Sequence, residues 1–238
     1  MTGTKTGTKT GSKTGSKTSA ETRTDAGART GTLLAGGIVA GPLFLVASLI
    51  QGLTREGFDF TRNAFSQLSL GGLGWIQVIV FLLTGLLAIA GAIGMRRVLR
   101  GAPGGVWAPR LVGVFGASFV LAGVFTADPG DGFPAGTPKG SSGSVSAHGA
   151  VHLGGATVGF LALCAAFLVL ATYFADRGQR GWALASRLVP VGVLAGSSAS
   201  SVSVLAFTAG AALGLLWLSA VTVRLRATTP PTQHTPQR

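Results

Sequence analysis

From Thr32 to Val223 the chain runs through apolar blocks that alternate with short stretches holding almost all of its charge. Each block is about twenty residues long, and at about 1.5 Å per residue a helix of that length matches the hydrocarbon thickness of a bilayer. Only 11% of the 238 residues are charged and the mean hydropathy is +0.52, whereas a water-soluble domain carries about a quarter of charged residues. The chain therefore reads as an all-α, polytopic transmembrane helix bundle, a multi-pass protein of the plasma membrane whose first partner is the lipid bilayer.

The segment 148–174 shows what such a block does with its few polar residues. It opens with His148 and His152, four residues apart and so on one helical face, which Gly155, Ala156, Gly159 and Leu163 continue. A smooth face of small residues packs against protein, not lipid.

In chain order, residues 1–31 repeat Thr-Lys-Thr-Gly and Ser-Lys-Thr-Gly around Lys5, Lys9, Lys13 and Lys17 with almost nothing to bury, the composition of a disordered basic tail. Residues 32–50 form the first span, with Pro42 near its middle and Gly36, Gly37, Ala40 and Gly41 available for close packing. A cleaved signal peptide is the rival reading, but the run is too long and Glu21 and Asp25 precede it. Residues 51–72 alternate polar and aromatic side chains, a pattern for a short interfacial helix on the outer leaflet. The second span is 73–95 with Trp75 at its outer end, and the third is 111–127, fronted by Trp107 at the inner interface. Pro129, Gly130 and Gly132 turn the Gly-, Pro- and Ser-rich loop 128–147 before the fourth span, and Trp182 marks an interface after it. The run 188–223 is too long for one helix; the serines at 197, 198, 200, 201 and 203 divide it into two spans, the second with Gly210 and Gly214 in GxxxG spacing. Residues 32–226 thus make one six-helix domain, and 227–238 a disordered C-terminal tail.

Six spans put both termini on one side of the membrane. Counted that way, the cytoplasmic segments hold sixteen basic residues and the outer loops three, Arg55, Arg62 and Lys139, the asymmetry expected when the N and C termini are cytoplasmic. The net charge of +12 has the same origin; no basic stripe interleaved with aromatics appears, so nucleic acid is not a partner. Cys164 stands alone in the fourth span as a small packing residue, with no second thiol for a disulfide or metal. No Asp, Glu, Lys or Arg falls at mid-depth of a span, which speaks against an ion-coupled transporter.

The ionisable residues gather instead at the outer ends: Asp59 and Arg62 before span two, Asp128 and Asp131 after span three, His148 and His152 entering span four. Imidazoles at i, i+4 can share one metal, and a carboxylate such as Asp128 would complete a zinc-like site with a position left for water. The competing reading places His148 at the water interface and His152 in a hydrogen bond to a loop carbonyl or to Asp128; a third makes the pair a proton sensor. Arg62 pairs with Asp59 or Asp128 to tie loops together. Ser66 and Ser69 become nucleophiles only if a histidine approaches, and otherwise cap or bridge helices.

Three motifs carry a resemblance. Arg62-Asn63-Ala64-Phe65-Ser66-Gln67-Leu68-Ser69 leading into Gly74-Trp75-Ile76-Gln77, then Phe125-Thr126-Ala127-Asp128-Pro129, then His148-Gly149-Ala150-Val151-His152, resemble the bacterial membrane family called domain of unknown function 998 over residues 32–226. The resemblance implies six helices and a membrane location, and supplies no activity or substrate. Two readings of function stand beside it. One is a membrane protein with an outward-facing polar pocket at the ends of spans two, three and four, binding a lipid, small ligand or partner through Asp59, Arg62, Ser66, Asp128, His148 and His152. The other is a membrane-embedded metal-dependent hydrolase of a lipid or acylated substrate, with Asp128, His148, His152 and Ser66 as catalytic residues and a zinc-like divalent metal on His148, His152 and Asp128.

Overall fold

The computed structural model describes residues 13–140 and 144–228, with side chains from Asp25 onward; the tail readings for 1–12 and 229–238 lie outside the described residues. Among the described residues six α-helices follow one another: α1 Lys13–Thr54, α2 Gly74–Val98, α3 Trp107–Val124, α4 Ala147–Asp176, α5 Arg180–Ser198 and α6 Val204–Ala227. A 3-10 helix, Phe65–Ser69, sits in the first connection. Among the described residues the only sheet-like pairing is an isolated bridge between Gly130 and Phe133.

The boundaries follow local chemistry. The Ser146 hydroxyl accepts from Gly149 N at 3.0 Å and starts α4, and Ser203 does the same for α6 through Ala206 N at 3.2 Å, each satisfying a donor that the first turn leaves free. Between α5 and α6, residues 199–203 turn back on α5, with Val202 N and Ser203 N donating to Ala199 O. The serine run divides the long apolar stretch where its sequence implied. Arg96 and Arg97 close α2 against the negative end of its dipole, and Pro109 is harmless in the first turn of α3.

Each helix packs against its neighbour in sequence, and α6 closes on α1, so the six form a ring. In an apolar solvent association depends on close packing, not on burial from water, and glycines supply it here. A Cβ at Gly91 would lie 2.6 Å from Gly37 Cα, and one at Gly196 would lie 3.0 Å from Gly210 Cα. The first contact fixes the antiparallel register of α1 and α2, with Leu34 beside Gly94 at one end and Phe44 against Phe81, centroids 5.2 Å apart, toward the other. Phe115, Phe167, Phe174, Leu163 and Leu215 fill the interior, while the outward faces are also apolar: Leu53, Val124, Val158 and Val191 are each more than half exposed. A bundle greasy on both sides is at home in lipid.

Among the described residues five helical stretches, Asp25–Thr54, Gly74–Val98, Trp107–Val124, Ala147–Asp176 and Val204–Ala227, are long and apolar enough to cross a membrane. The sequence reading has six. The difference is α5, whose first half carries Arg180 and Arg187.

Other expectations change in detail. Residues 13–31, read as tail, begin α1, since extending an existing helix costs far less than nucleating one. The interfacial helix expected over 51–72 shrinks to the single 3-10 turn, because α1 runs on to Thr54 and Arg55 then donates to the carbonyls of Leu68 and Leu70 at 3.1 and 2.6 Å. Trp182, expected at an interface, packs on Trp217, centroids 5.2 Å apart.

Candidate functional site

The ring encloses an apolar cavity of about 140 Å³ near the end where α4 begins. Phe44 comes from α1, Phe65 and Ser66 from the 3-10 helix, Phe81 from α2, Ser118 and Phe119 from α3, His152 and Phe160 from α4, and Phe207 and Thr208 from α6. The aromatic wall is continuous. Phe44 meets Phe81 and Phe119 at 5.2 and 5.1 Å, and Phe119 meets Phe115 at 4.9 Å, in the tilted or edge-on arrangements such rings favour. A cavity of about 150 Å³ admits a benzene-sized group.

His152 is buried, at 4% exposure, and is the basic group of this wall. Its Nδ1 donates to Phe125 O at 2.8 Å, the loop-carbonyl partner foreseen in the structural reading of this residue. That bond fixes the hydrogen on Nδ1, since a carbonyl can only accept, and leaves Nε2 for a donor. The ring stands edge-on to Phe81, centroids 6.0 Å apart. Ser118 donates to Phe115 O at 2.7 Å, and only glycine at 159 leaves room for its hydroxyl. The predicted inward face of α4 is realised from His152 onward, with Gly155 against Leu121 and Gly159 against Ser118, while His148 at its head is exposed.

The remaining expected site residues lie elsewhere. Asp128 faces the start of α4, accepting from Ser146 N at 2.9 Å and from the Ser146 hydroxyl at 2.5 Å. The Ser146 hydroxyl and, second to it, the Ser146 N–H hold the Asp128 carboxyl below the usual carboxylate range. His148 is exposed beside the Phe125 ring at 5.2 Å. Asp59 and Arg62 pair with each other at 2.9 Å on the surface, and Thr61 holds the Asp59 carboxyl low. Ser69 donates to Ser66 O at 2.7 Å. Of the six ligand-binding residues expected, then, Ser66 and His152 share the cavity; the polar pocket built from the ends of three spans becomes a mainly apolar one to which α1 and α6 contribute.

The proposed metal donors do not converge. Among the described residues no group of three or more His, Cys, Asp or Glu side chains could hold one metal ion, and Asp128 has both oxygens on Ser146.

Beside the cavity a second hollow of about 480 Å³ opens between α4 and the α5–α6 turn, lined by Thr157, Leu194, Ser197, Ser198, Ser200 and Val204. The two share Ala64, Leu153, Ala156, Phe160 and Phe207.

Sequence reasoning missed a buried polar group close by. Gln77 accepts from Gln51 Nε2 at 2.6 Å and donates to the Ser48 hydroxyl at 3.0 Å, joining α1 to α2. The available signal was Ser48 and Gln77 inside otherwise apolar runs, where polar side chains bridge helices. The aromatic wall from α1 and α6 left no comparable signal, because nothing local says that the first and last helices touch.

Fold and site together define a polytopic helical membrane protein with an aromatic-walled cavity near one end. The model of the family described as "Protein of unknown function (DUF998)" matches residues 38–224, and the chain belongs to that family. No curated protein and no solved structure matches it.

Proposed function

We propose that the protein spans the membrane six times with both termini cytoplasmic and binds an amphiphile, whose apolar chain passes between α4 and the α5–α6 turn into the cavity. The observation that carries this reading is the run of residues common to hollow and cavity, Ala64, Leu153, Ala156, Phe160 and Phe207. An apolar chain arriving sideways from lipid meets Leu194 and Val204, then the phenylalanine wall, while Ser197, Ser198 and Ser200 offer hydroxyls to a polar head. Within the cavity Nε2 of His152 and the Ser66 hydroxyl select for a ligand with a polar atom along its chain.

The sixth crossing is supported by α5 itself. Leu184, Leu188, Val191 and Leu194 form an exposed apolar stripe at helical spacing, and α5 must connect the end where α4 stops to the end where α6 starts.

Filling the shared passage tests the binding. A pyrene-labelled fatty acid should bind purified protein in detergent saturably, and Ala156→Phe should weaken it at least about tenfold, the effect of losing about 1.4 kcal/mol, with the melting temperature retained. Equal binding by wild type and Ala156→Phe would refute the passage. The metal-dependent hydrolase reading has its own readout: stoichiometric zinc in purified protein that is lost in His148→Ala, His152→Ala or Asp128→Ala.

A further inference from the structure

Beyond the glycine crossing of α1 and α2, at the end opposite the cavity, the two helices continue past each other and leave a groove of about 520 Å³. Arg29, Arg97 and Arg100 line it, with Asp25 the one carboxylate among its described lining residues. Other arginines of this end are engaged. Arg96 donates to Gly105 O at 2.8 Å, Arg110 lies over the Trp107 ring, Arg177 over the Tyr173 ring, and Arg224 donates to Gln179 at 3.0 Å. Arg29, Arg97 and Arg100 are exposed and enter no hydrogen bond or ion pair among the described residues. Among the described residues, three guanidiniums line one hollow against a single carboxylate, Asp25, an excess of positive charge that favours an anion, and their planar forks suit the paired oxygens of a phosphate.

A second hollow, of about 440 Å³, shares Arg29 and Arg97 but continues along α1 through Ala28, Thr32 and Leu33. Its direction matters, because Thr32 and Leu33 lead into the apolar part of α1. The two arginines therefore stand between a charged recess on the water side and an apolar strip on the lipid side, the polarity of a phospholipid at the interface.

We infer that this groove binds the phosphate of an anionic phospholipid, with Arg29 and Arg97 as its principal contacts and Arg100 closing the water side. The site is independent of the cavity and lies on the arginine-rich face of the bundle.

The experiment uses the full chain in detergent, titrated with phosphatidylglycerol, phosphatidylcholine or inorganic phosphate, with binding read by native mass spectrometry and melting temperature. Phosphatidylglycerol should bind more tightly than phosphatidylcholine. The double variant Arg29→Gln/Arg97→Gln should lose about 25-fold in phosphatidylglycerol affinity, about fivefold per arginine, while Arg110→Gln, on the Trp107 ring, keeps it. Melting of the double variant in phosphatidylcholine should match wild type, since both side chains are exposed. Equal affinity for the two lipids, or an unchanged preference in the double variant, would overturn the assignment. So would inorganic phosphate reproducing the whole effect, which would make the groove a free-anion site.

Discussion

At residue 149 a methyl group would land on the Asp128 carboxylate, so one hydrogen atom decides whether the α3–α4 connection can dock on the start of α4. Gly149→Ala should therefore cost about 1–3 kcal/mol by overpacking, read as a lowered melting temperature that Asp128→Ala partly restores by removing the obstacle. Asp128 also sets a pH dependence. Its folded pKa lies below the unfolded value, so its stabilisation is complete above the ordinary carboxylate pKa of about 3.9 and is lost as pH falls through the depressed folded value. Melting curves of wild type and Asp128→Asn should differ by a constant amount down to about pH 4 and approach each other only below it, as the carboxyl protonates in the folded state. A parallel offset at every pH would assign the difference to shape. The Gln51–Gln77–Ser48 group gives a second residue-scale expectation: Gln77→Ala strands two buried partners and should cost about 1–3 kcal/mol. The sequence put Asp128, His148 and His152 at one end of the bundle by spacing alone. It could not show which atom each would face, because His152 meets the backbone carbonyl of Phe125 and Asp128 meets the donors of Ser146, and backbone groups look alike in any sequence.

Among elements, the α5–α6 turn was the most legible and the 51–72 connection the least, for opposite physical reasons. Serine hydroxyls bond to their own backbone, as Ser197 does to Val193 O at 3.0 Å and Ser203 to Ala206 N, so a serine run announces a break from local chemistry. Ser203→Ala should cost about 1 kcal/mol through loss of the α6 cap, and hydrogen exchange should rise in 204–207 before anywhere else in α6. Exchange rising uniformly along α6 would instead mean that the cap supports the whole helix. The 51–72 connection is shaped by distant partners: Arg55 reaches Leu68 and Leu70, Asn63 and Gln67 reach Gly130 O, and Phe58 packs on Phe133. No window of sequence contains both halves of those contacts. The glycine faces of α1 and α4 were legible as packing surfaces, but which helix each would meet depended on the ring closing.

For the whole molecule, the six-crossing reading makes a direct statement about sidedness. Reporters active only outside the cytoplasm should work when fused near Gly57 or Lys139 and be silent near Gly101, Gly178 or after Arg226, since basic residues crowd the latter positions. An active fusion after Arg226 would mean that α5 and α6 together cross once. The closure of α6 on α1, where Gly41 abuts Leu215 and Gly37 meets Thr222, has a consequence for connectivity. An even number of antiparallel helices in a ring brings the start of the first and the finish of the last to neighbouring places on one face, so the order in which the chain visits the helices is separable from how they pack. Joining residue 227 to residue 25 by a short linker and cutting at Gly101 would begin the chain at α3 and finish it at α2, with every helix pair intact and both new ends on the same face as the old ones. Cutting at Ser200 would demand that the new ends emerge on the opposite face. On the six-crossing reading, then, only cuts at the face that holds the present ends leave every terminus where it now lies.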